Sequence, residues 1–503
     1  MKILGVHYSH DSGAAIIEDG RILAAVNEER LLRKKLYWGF PRLSLQEVFR
    51  IAHCKPEDID YVAFANITPG VGPQRDVFNE PNIRKKVNDS LCYYAPGLVG
   101  THAYVNLFRF LYSRFRKGSS VLSYLRELGI NAPVHYVDHH TAHAASAYYT
   151  SCFDDDTLVI TTDGLGDGYC ASVSTVKDAI LTRIATTPFI HSPAAIYAYV
   201  TFNLGFKPAR HEGKITGLAA FGDPRKTHDI FKRIMTVRGL EYRVKGLTWG
   251  RPAARQLHNL MQNKKWDDVA AGVQLRSEEV AVELVKNALA HKKASNIALA
   301  GGFFANVRIN QRVSEIPGVK KLYIHPHMGD GGLAVGSALH LWAQLMKEQG
   351  SAPSPVEITN AYFGPDYTNI QIKKSLDAFG LSATKPAHFE QRVAELVAEK
   401  KVVGLFQGRM EYGPRALGNR TILADPTDRS INDWLNKRMK RTEFMPFAPC
   451  VLREDAPRLY KNFDRGEIAA QFMTITFDVV PEAVKKAPAV AHVDSTARPQ
   501  TIT

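Results

Sequence analysis

Short apolar runs alternate with Gly- and Asp-rich turns over the first half of the chain. "KILGVHY" (2–8) is β-rich, "SHDSGA" (9–14) is a tight polar turn, and "AAIIEDGRILAAVNEE" (14–29) reads as a hairpin reversing at Asp19-Gly20. The same order returns in "TLVITTDGLGDGYCASVSTVKDAILTRIAT" (157–186): a strand, an acidic Gly-rich turn and a hairpin. This weak internal repeat predicts two related lobes, each offering a strand-turn-strand loop to a shared cleft. Glycine at such turns permits positive φ and lets backbone N–H groups approach a phosphate.

Helical periodicity fills the space between. "SEEVAVELVKNALAHKKA" (277–294) predicts an amphipathic helix capped by Ser277. "NIALAGGFFANVRIN" (296–310) reads as a buried strand and a Gly-Gly turn, and "KLYIHPHMGDGGLAVGSALHLWAQLMKEQG" (321–350) as a strand, a "GDGG" turn and a long helix. That helix start suits an anion. Residues 75–130 interrupt the first lobe with two basic, helical stretches, "NIRKKVNDSLCYY" and "NLFRFLYSRFRKGSS". They read as a solvated insertion, with acceptor binding or dimerisation as the functional alternative. "SAPSPVEITN" (351–360) is a linker, after which a strand-like "AYFGPDY" and the helix "NIQIKKSLDAFG" open a second α/β domain over 361–503.

The chain has 503 residues, 45% of them hydrophobic and 23% charged, which fits a globular protein of more than one domain. A net charge of +14 favours anionic partners such as nucleotides or acyl phosphates. Nucleic acid is not expected, because the basic residues are scattered. Cys54, Cys92, Cys152, Cys170 and Cys450 are widely spaced and form no CxxC, which argues against a disulfide framework or zinc ribbon and fits a cytoplasmic location. The N-terminus does not read as a signal peptide, and no apolar run of about 20 residues suggests a membrane span.

The most distinctive chemistry lies in "VDHHTAHAASAYYTS" (137–151). His139 and His143 stand at i and i+4, so on a helix their rings share one face and can grip one ion. The competing reading is a histidine-rich helix start capped by Asp138. A zinc-protease helix is disfavoured, since it needs Glu directly after the first His.

"HDSGAA", "HHTAH", "DGLGDG", "HEGKITGLAAFG", "LAGGFFANVRIN", "GDGG", "GRMEYGPRALGNRTILADP", "FMPFAPCVL" and "HVDSTARPQT" occur in the order of one family. The chain resembles the O-carbamoyltransferases of the nodulation and antibiotic-tailoring type. The resemblance covers nearly the whole length, and "YGPRALGNR" and "HHTAH" are its most specific motifs. It implies an α/β protein: an actin/hexokinase-like two-lobed domain over 1–350, of the kind shared with the enzyme that places threonylcarbamoyl on tRNA, and a YrdC-like α/β domain over 361–503. The implied chemistry is sequential. Carbamoyl phosphate and ATP, with Mg(II), give carbamoyladenylate in the C-terminal domain; the N-terminal domain moves the carbamoyl group to a hydroxylated small-molecule acceptor. Two departures stand out. Members of the family usually run well past "TARPQT", whereas this sequence ends at Thr503, so an incomplete C-terminal domain and a weakened first half-reaction are expected. "GLAAFGD" replaces a more usual Pro-Tyr before the glycine, with little expected consequence.

These expectations fall on particular residues. His139, His143, Asp163 and Asp330 form a mixed nitrogen and oxygen set for a divalent ion; such a set suits Fe(II), Zn(II) or Mn(II), and the family points to iron. Asp167 competes with Asp163 for the carboxylate role. His140 would be the base or hold the carbamoyl group, and Lys214 would face the donor phosphate or carbonyl oxygen. Asp11, Ser12, Gly164, Gly166 and Asp167 line the phosphate turns. Gly301, Gly302 and Asn306 would form the adenosine shelf, with Asn310 near the ribose. Arg415 and Arg420 are bidentate candidates for carbamoyl phosphate, with Lys440, Arg441 and Arg498 as further phosphate partners. A homodimer is compatible with this reading. The acceptor is not legible; family precedents include sugars, macrolactams, cephems and guanidinium toxins. Two other enzymes remain as alternatives, a tRNA threonylcarbamoyl-type transferase and an actin-fold small-molecule kinase. A non-enzymatic binding protein fits poorly, because the charged residues concentrate in Gly-rich turns.

Overall fold

The computed structural model describes residues 1–67, 90–114, 120–442 and 444–503. Residues 82–89 of the first predicted insertion helix and 115–119 of the second lie outside the described residues. The first sheet contains β1 (Lys2–His7), β2 (Gly13–Glu18), β3 (Arg21–Asn27), β4 (Tyr61–Ala65) and β5 (Val134–Val137), in the order β3-β2-β1-β4-β5. The second contains β6 (Thr157–Gly166), β7 (Tyr169–Lys177) and β8 (Ile180–Pro188); a separate hairpin follows, β9 (Met235–Arg238) with β10 (Glu241–Val244), and then β11 (Asn296–Ala300) and β12 (Lys321–Ile324) complete it. Its order is β12-β11-β6-β7-β8, the same layout as the first sheet. In both, three antiparallel strands meander and two more join in parallel beside the first. The repeat legible in the turns is therefore a duplicated fold, the two-lobed actin/hexokinase-like architecture.

Two helices lie between the sheets. Helix His139–Tyr149 follows β5 and helix Leu333–Glu348 follows β12. Their apolar faces share one core with Ile3, Ala15 and Ala63 of the first sheet and Val159, Ala298 and Tyr323 of the second. Small residues set the spacing: a Cβ on Gly336 would lie 1.9 Å from the Ala142 carbonyl oxygen, and one on Gly5 would lie 1.8 Å from that of Ala334. Both helices thereby carry their first turns to the same end of the cleft.

Three local expectations are corrected. The helix expected to start at Ser277 runs from Trp266 to His291, since apolar positions Val269, Ala270 and Val273 continue the same face upstream. Ser277 is a buried mid-helix residue whose hydroxyl donates to the Val273 carbonyl at 2.8 Å. "AYFGPDY" forms no strand; only its Phe363 carbonyl meets the edge residue Ala25, at 3.1 Å, before Gly364-Pro365 turns the chain away. Residues 351–360 are extended, but they are docked: the Val356 N–H donates to the Tyr149 carbonyl at 2.9 Å.

After residue 361 the sheets are short. β13 (Val403–Phe406) pairs with β14 (Arg420–Leu423), β15 (Cys450–Leu452) with β18 (Gln500–Ile502), and β16 (Phe477–Asp478) with β17 (Thr496–Ala497). Helices Asn369–Ala378 and Phe389–Ala398 bury none of their residues. Tyr460, Phe463, Ile475 and Phe477, in contrast, enter the second lobe's core beside Ile316 and Ile324. The core thus does not divide at the 351–360 segment. Among the described residues no helix is long and apolar enough to cross a membrane.

Candidate metal centre and the C-terminal arginine loop

Asp138 caps the histidine helix by accepting from the Thr141 N–H at 2.9 Å, so His139 and His143 fall on its first and second turns. β6 brings Asp163 to them from one side and the "GDGG" turn brings Asp330 from the other. One ligand atom from each of His139, His143, Asp163 and Asp330 lies within 4.8 Å of all the others. His143 Nε2 is 3.1 Å from Asp163 and 3.6 Å from Asp330; His139 Nε2 is 3.7 Å from each carboxylate. His139 Nε2 is buried and has no hydrogen-bond partner, although it faces two carboxylates. Its Nδ1 sits 2.9 Å from Asn66 Oδ1, an arrangement that puts the ring proton on Nδ1 and leaves the Nε2 lone pair toward the cluster. Two imidazoles and two carboxylates around such an orphaned nitrogen fit a divalent cation.

The electrostatics agree. Burial opposes charge on His139, yet Asp330 and Asp163 raise its pKa to about 9. Burial also opposes charge on Asp163, but the rings of His139 and His143 facing it hold it well below the usual carboxylate range. Asp330 is shifted down as well, by the same histidines and His10, against burial and Asp163. Without an ion, then, a proton on His139 compensates the paired carboxylates.

The surrounding imidazoles behave differently. Burial pushes His7 down to about 4, and His325 and His327 to about 3, so they stay neutral. His140 is likewise pushed to about 3 by burial and His139, and its Nδ1 engages Thr161 Oγ1 at 2.8 Å, which in turn pairs with Ser172. These hydrogen bonds seat His140 against the second sheet. His10, beside Asp11 and Asp330, is raised despite its desolvation and is the imidazole better placed to hold a proton.

Several predicted contacts resolve into structural ones. Asp167, at φ 49°, turns its carboxylate onto the N–H groups of His139 (2.9 Å) and Ile67 (2.8 Å), away from the ligand role. Gly166 is required by crowding, since a Cβ there would lie 2.0 Å from the His139 ring. Gly301, at φ 102°, would place a Cβ 2.2 Å from the Thr162 carbonyl oxygen, and Gly302 lies against Asp163. Asn306 caps helix Val307–Ser314 and its amide donates to Gln274 Oε1 at 2.8 Å. Asn310 is fully buried and donates to the carbonyls of Phe304 and Thr474, both at 2.7 Å, which braces the lobe against the C-terminal region. Asp11 is raised to about 6 by burial, Ser12 is buried with an unpartnered hydroxyl, and Gly164 has open space beside its Cα. These three remain open to a phosphate.

Asp138 also anchors the insertion. Arg109, on helix His102–Arg114, donates to Asp138 at 2.6 Å and to the Asp167 carbonyl at 2.9 Å, while Arg183 reaches Asp138 and Thr141. The insertion is therefore a buttress for the histidine helix, more than the solvated elaboration its basic sequence suggested. Arg109→Ala should cost about 1.5–3 kcal/mol, the worth of hydrogen bonds to a charged group, read as a lower denaturation midpoint. The two arginines hold Asp138 below its ordinary value, against its burial. A depressed carboxylate contributes stability above its unfolded pKa of about 3.9 and loses it as pH falls. The gap between wild type and Arg109→Ala should therefore close on acidification below about pH 4.

The C-terminal loop that carries Arg415 folds around a buried carboxylate. Glu411 Oε1 accepts from the N–H groups of Leu417 (2.8 Å), Asn419 (2.8 Å) and Arg420 (2.9 Å). Gly413 and Gly418, at φ 112° and 113°, allow the reversal. Gln500 donates to the Leu417 carbonyl at 2.9 Å, which sets the strand following Arg498 against the Arg415 loop. Arg420 differs: its guanidinium stacks over Phe406 at 3.7 Å and donates to the carbonyls of Gln407, Asn419, Pro365 and Gly408. Its donors brace the loop that carries Arg415. Lys440 and Arg441 are exposed at the end of helix Ser430–Arg438. Next to them Thr442 accepts from Lys214 Nζ at 2.6 Å, so Lys214 stands at the junction of the second lobe and the C-terminal region.

Asn66, Arg109, Arg183, Glu411 and Tyr412 escaped the sequence reading. Only Asp138, as a helix cap, pointed toward any of them.

Residues 2–339 match the family model described as carbamoyltransferase N-terminus, and residues 394–503 match that of the carbamoyltransferase C-terminus. An uncharacterized protein of Synechocystis sp. is 30% identical, over 99% of this chain and 86% of its own. One from Methanocaldococcus jannaschii is 31% identical, over 99% of this chain and 89% of its own. Nodulation protein NolNO of Sinorhizobium fredii is 29% identical, over 98% of this chain and 70% of its own.

Proposed function

This chain belongs to the carbamoyltransferase family, and on that premise we propose that it is an ATP-dependent O-carbamoyltransferase working in two steps. Carbamoyl phosphate gives up its phosphoryl group to water as inorganic phosphate, and the carbamate left attacks the α-phosphorus of ATP to form carbamoyladenylate and pyrophosphate at the C-terminal arginines; the cleft between the lobes then transfers the carbamoyl group to a hydroxyl of a small molecule, and AMP leaves. The observation that carries this reading is the four-residue cluster of buried His139 and His143 with half-buried Asp163 and Asp330.

A divalent cation held by those residues would supply Lewis acidity to the carbonyl oxygen; the donor set suits Fe(II), Mn(II) or Zn(II). The chain's own residues do the rest. Asn66 keeps the His139 ring turned toward the cluster. His10 stands beside Asp11 and Asp330 at the edge of the cluster, where its positive charge faces the carboxylates. Ser12, Asp11 and the turn at Gly164 line the space for the adenylate phosphate. Arg415 and Arg498 gather the donor's charge, and Lys214 stands where the two regions meet.

The test is a product assay. The chain, given carbamoyl phosphate, ATP, a divalent ion and a panel of hydroxylated metabolites, should release AMP, pyrophosphate and inorganic phosphate. ADP as the product would favour a kinase, and AMP release that requires tRNA and threonylcarbamoyl donor would favour the tRNA-modifying reading. Either outcome would replace the proposal.

A further inference from the structure

Tyr412 opens the "YGPRALGNR" stretch, yet its side chain is packed against the first half of the molecule. It is 3% exposed, with its ring 5.2 Å from that of His327 and 5.9 Å from that of His325. Its hydroxyl donates to the carbonyl oxygen of Gly331 at 3.0 Å. Gly331 directly follows Asp330, so this hydrogen bond lands on the turn that presents a carboxylate to the cluster. The same carbonyl accepts from Asn27 Nδ2 at 3.3 Å, and a Cβ on Gly331 would lie 2.1 Å from the His327 ring. The turn is thus crowded on one side and tethered by two donors, one of which comes from the C-terminal region.

The chain on either side of Tyr412 belongs to the arginine loop. Glu411, immediately before it, gathers three loop N–H groups. Gly413, immediately after it, accepts from Arg30 at 2.6 Å through its carbonyl. The Tyr412 N–H is fixed to the Ala361 carbonyl at 2.7 Å. One residue therefore spans the interval between the Arg415 loop and the Asp330 turn, with its backbone in the first and its hydroxyl on the second.

We infer that Tyr412 is a positioning residue that couples the two sites: its hydroxyl sets Asp330 for the ion, and filling the Arg415 loop changes the cluster's affinity for that ion. The inference rests on the metal and carbamoyl-phosphate assignments proposed above. The ring fills space that phenylalanine would fill equally, so only the hydroxyl carries the coupling. Linkage makes it reciprocal, so an ion in the cluster must change the affinity for carbamoyl phosphate by the same factor.

Mn(II) binding to the whole chain, followed by electron paramagnetic resonance with and without carbamoyl phosphate, tests this in wild type, Tyr412→Phe and Tyr362→Phe. Tyr362 is the control, because its hydroxyl donates to the Leu417 carbonyl of the same loop at 2.8 Å without touching the metal turn. Tyr412→Phe should bind Mn(II) roughly three- to tenfold more weakly, the worth of one neutral hydrogen bond, and should lose the shift that carbamoyl phosphate produces in wild type. Tyr362→Phe should keep wild-type Mn(II) affinity. Wild-type affinity in Tyr412→Phe, or an undiminished carbamoyl-phosphate shift in it, overturns the coupling. So does a wild-type protein that binds Mn(II) but does not respond to carbamoyl phosphate. A wild-type chain that binds no Mn(II) overturns the metal assignment itself, and the coupling with it.

Discussion

The double variant His139→Ala/His143→Ala should lose its divalent ion completely and transfer the carbamoyl group at least about a thousandfold more slowly, since Lewis-acid stabilisation is worth several kcal/mol and each 1.4 kcal/mol is tenfold. Metal content by elemental analysis and transfer from supplied carbamoyladenylate give the two readouts. The single variants separate ligand loss from charge effects. His139→Ala removes the group whose raised pKa compensates Asp163 and Asp330. Without an ion, two buried carboxylates are then left facing each other, so this variant should also lose stability at neutral pH. Asp330→Asn removes one carboxylate and should weaken metal binding while keeping or raising apo stability. A double histidine variant that retains stoichiometric metal would mean that the ligands lie elsewhere.

Much of this site could be read from spacing. The i, i+4 pair needed only a helix, and Asp138 declared where that helix starts. The repeated strand-turn-hairpin pattern anticipated the duplicated sheets, because alternation and turn chemistry are local. What spacing could not decide was which side chain faces inward at each turn. Asp163 and Asp167 look equivalent in "DGLGDG"; the left-handed backbone at Asp167 turns its carboxylate onto backbone N–H groups and leaves Asp163 to the cluster. Asn306 and Asn310 follow a Gly-Gly turn, as ligand contacts often do, but cap a helix and satisfy buried carbonyls. Ser277 resembled a cap because polar residues surround it, whereas the apolar face runs on past it toward Trp266. Contacts across long loops had no local signal: His139 meets Asn66 across 73 residues, and Tyr412 meets Gly331 across 81. Such partners are fixed by tertiary packing, which no periodicity encodes.

The two half-reactions should come apart by mutation. Arg415 stands on a loop whose backbone is fixed by Glu411, Tyr362 and Gln500, so truncating its side chain leaves that scaffold in place. Arg415→Ala should fail to form adenylate from carbamoyl phosphate and ATP, yet should still pass the carbamoyl group from supplied carbamoyladenylate to an acceptor. His143→Ala should do the reverse, forming adenylate and pyrophosphate without transfer. Loss of a charged hydrogen-bonded contact is worth roughly 1.5–3 kcal/mol in binding, and lost orientation of the phosphate adds to the rate effect, so the Arg415 defect should exceed a hundredfold in adenylate formation. Arg420→Ala should look different from both. Its guanidinium holds four carbonyls and the Phe406 face, so its loss should loosen the loop and lower stability along with adenylation. Pyrophosphate release, transfer from supplied adenylate and thermal melting, measured on all three variants, resolve these patterns. Equal failure of Arg415→Ala and His143→Ala with supplied carbamoyladenylate would mean that a single cleft carries both steps, and the coupling through Tyr412 would then join parts of one site.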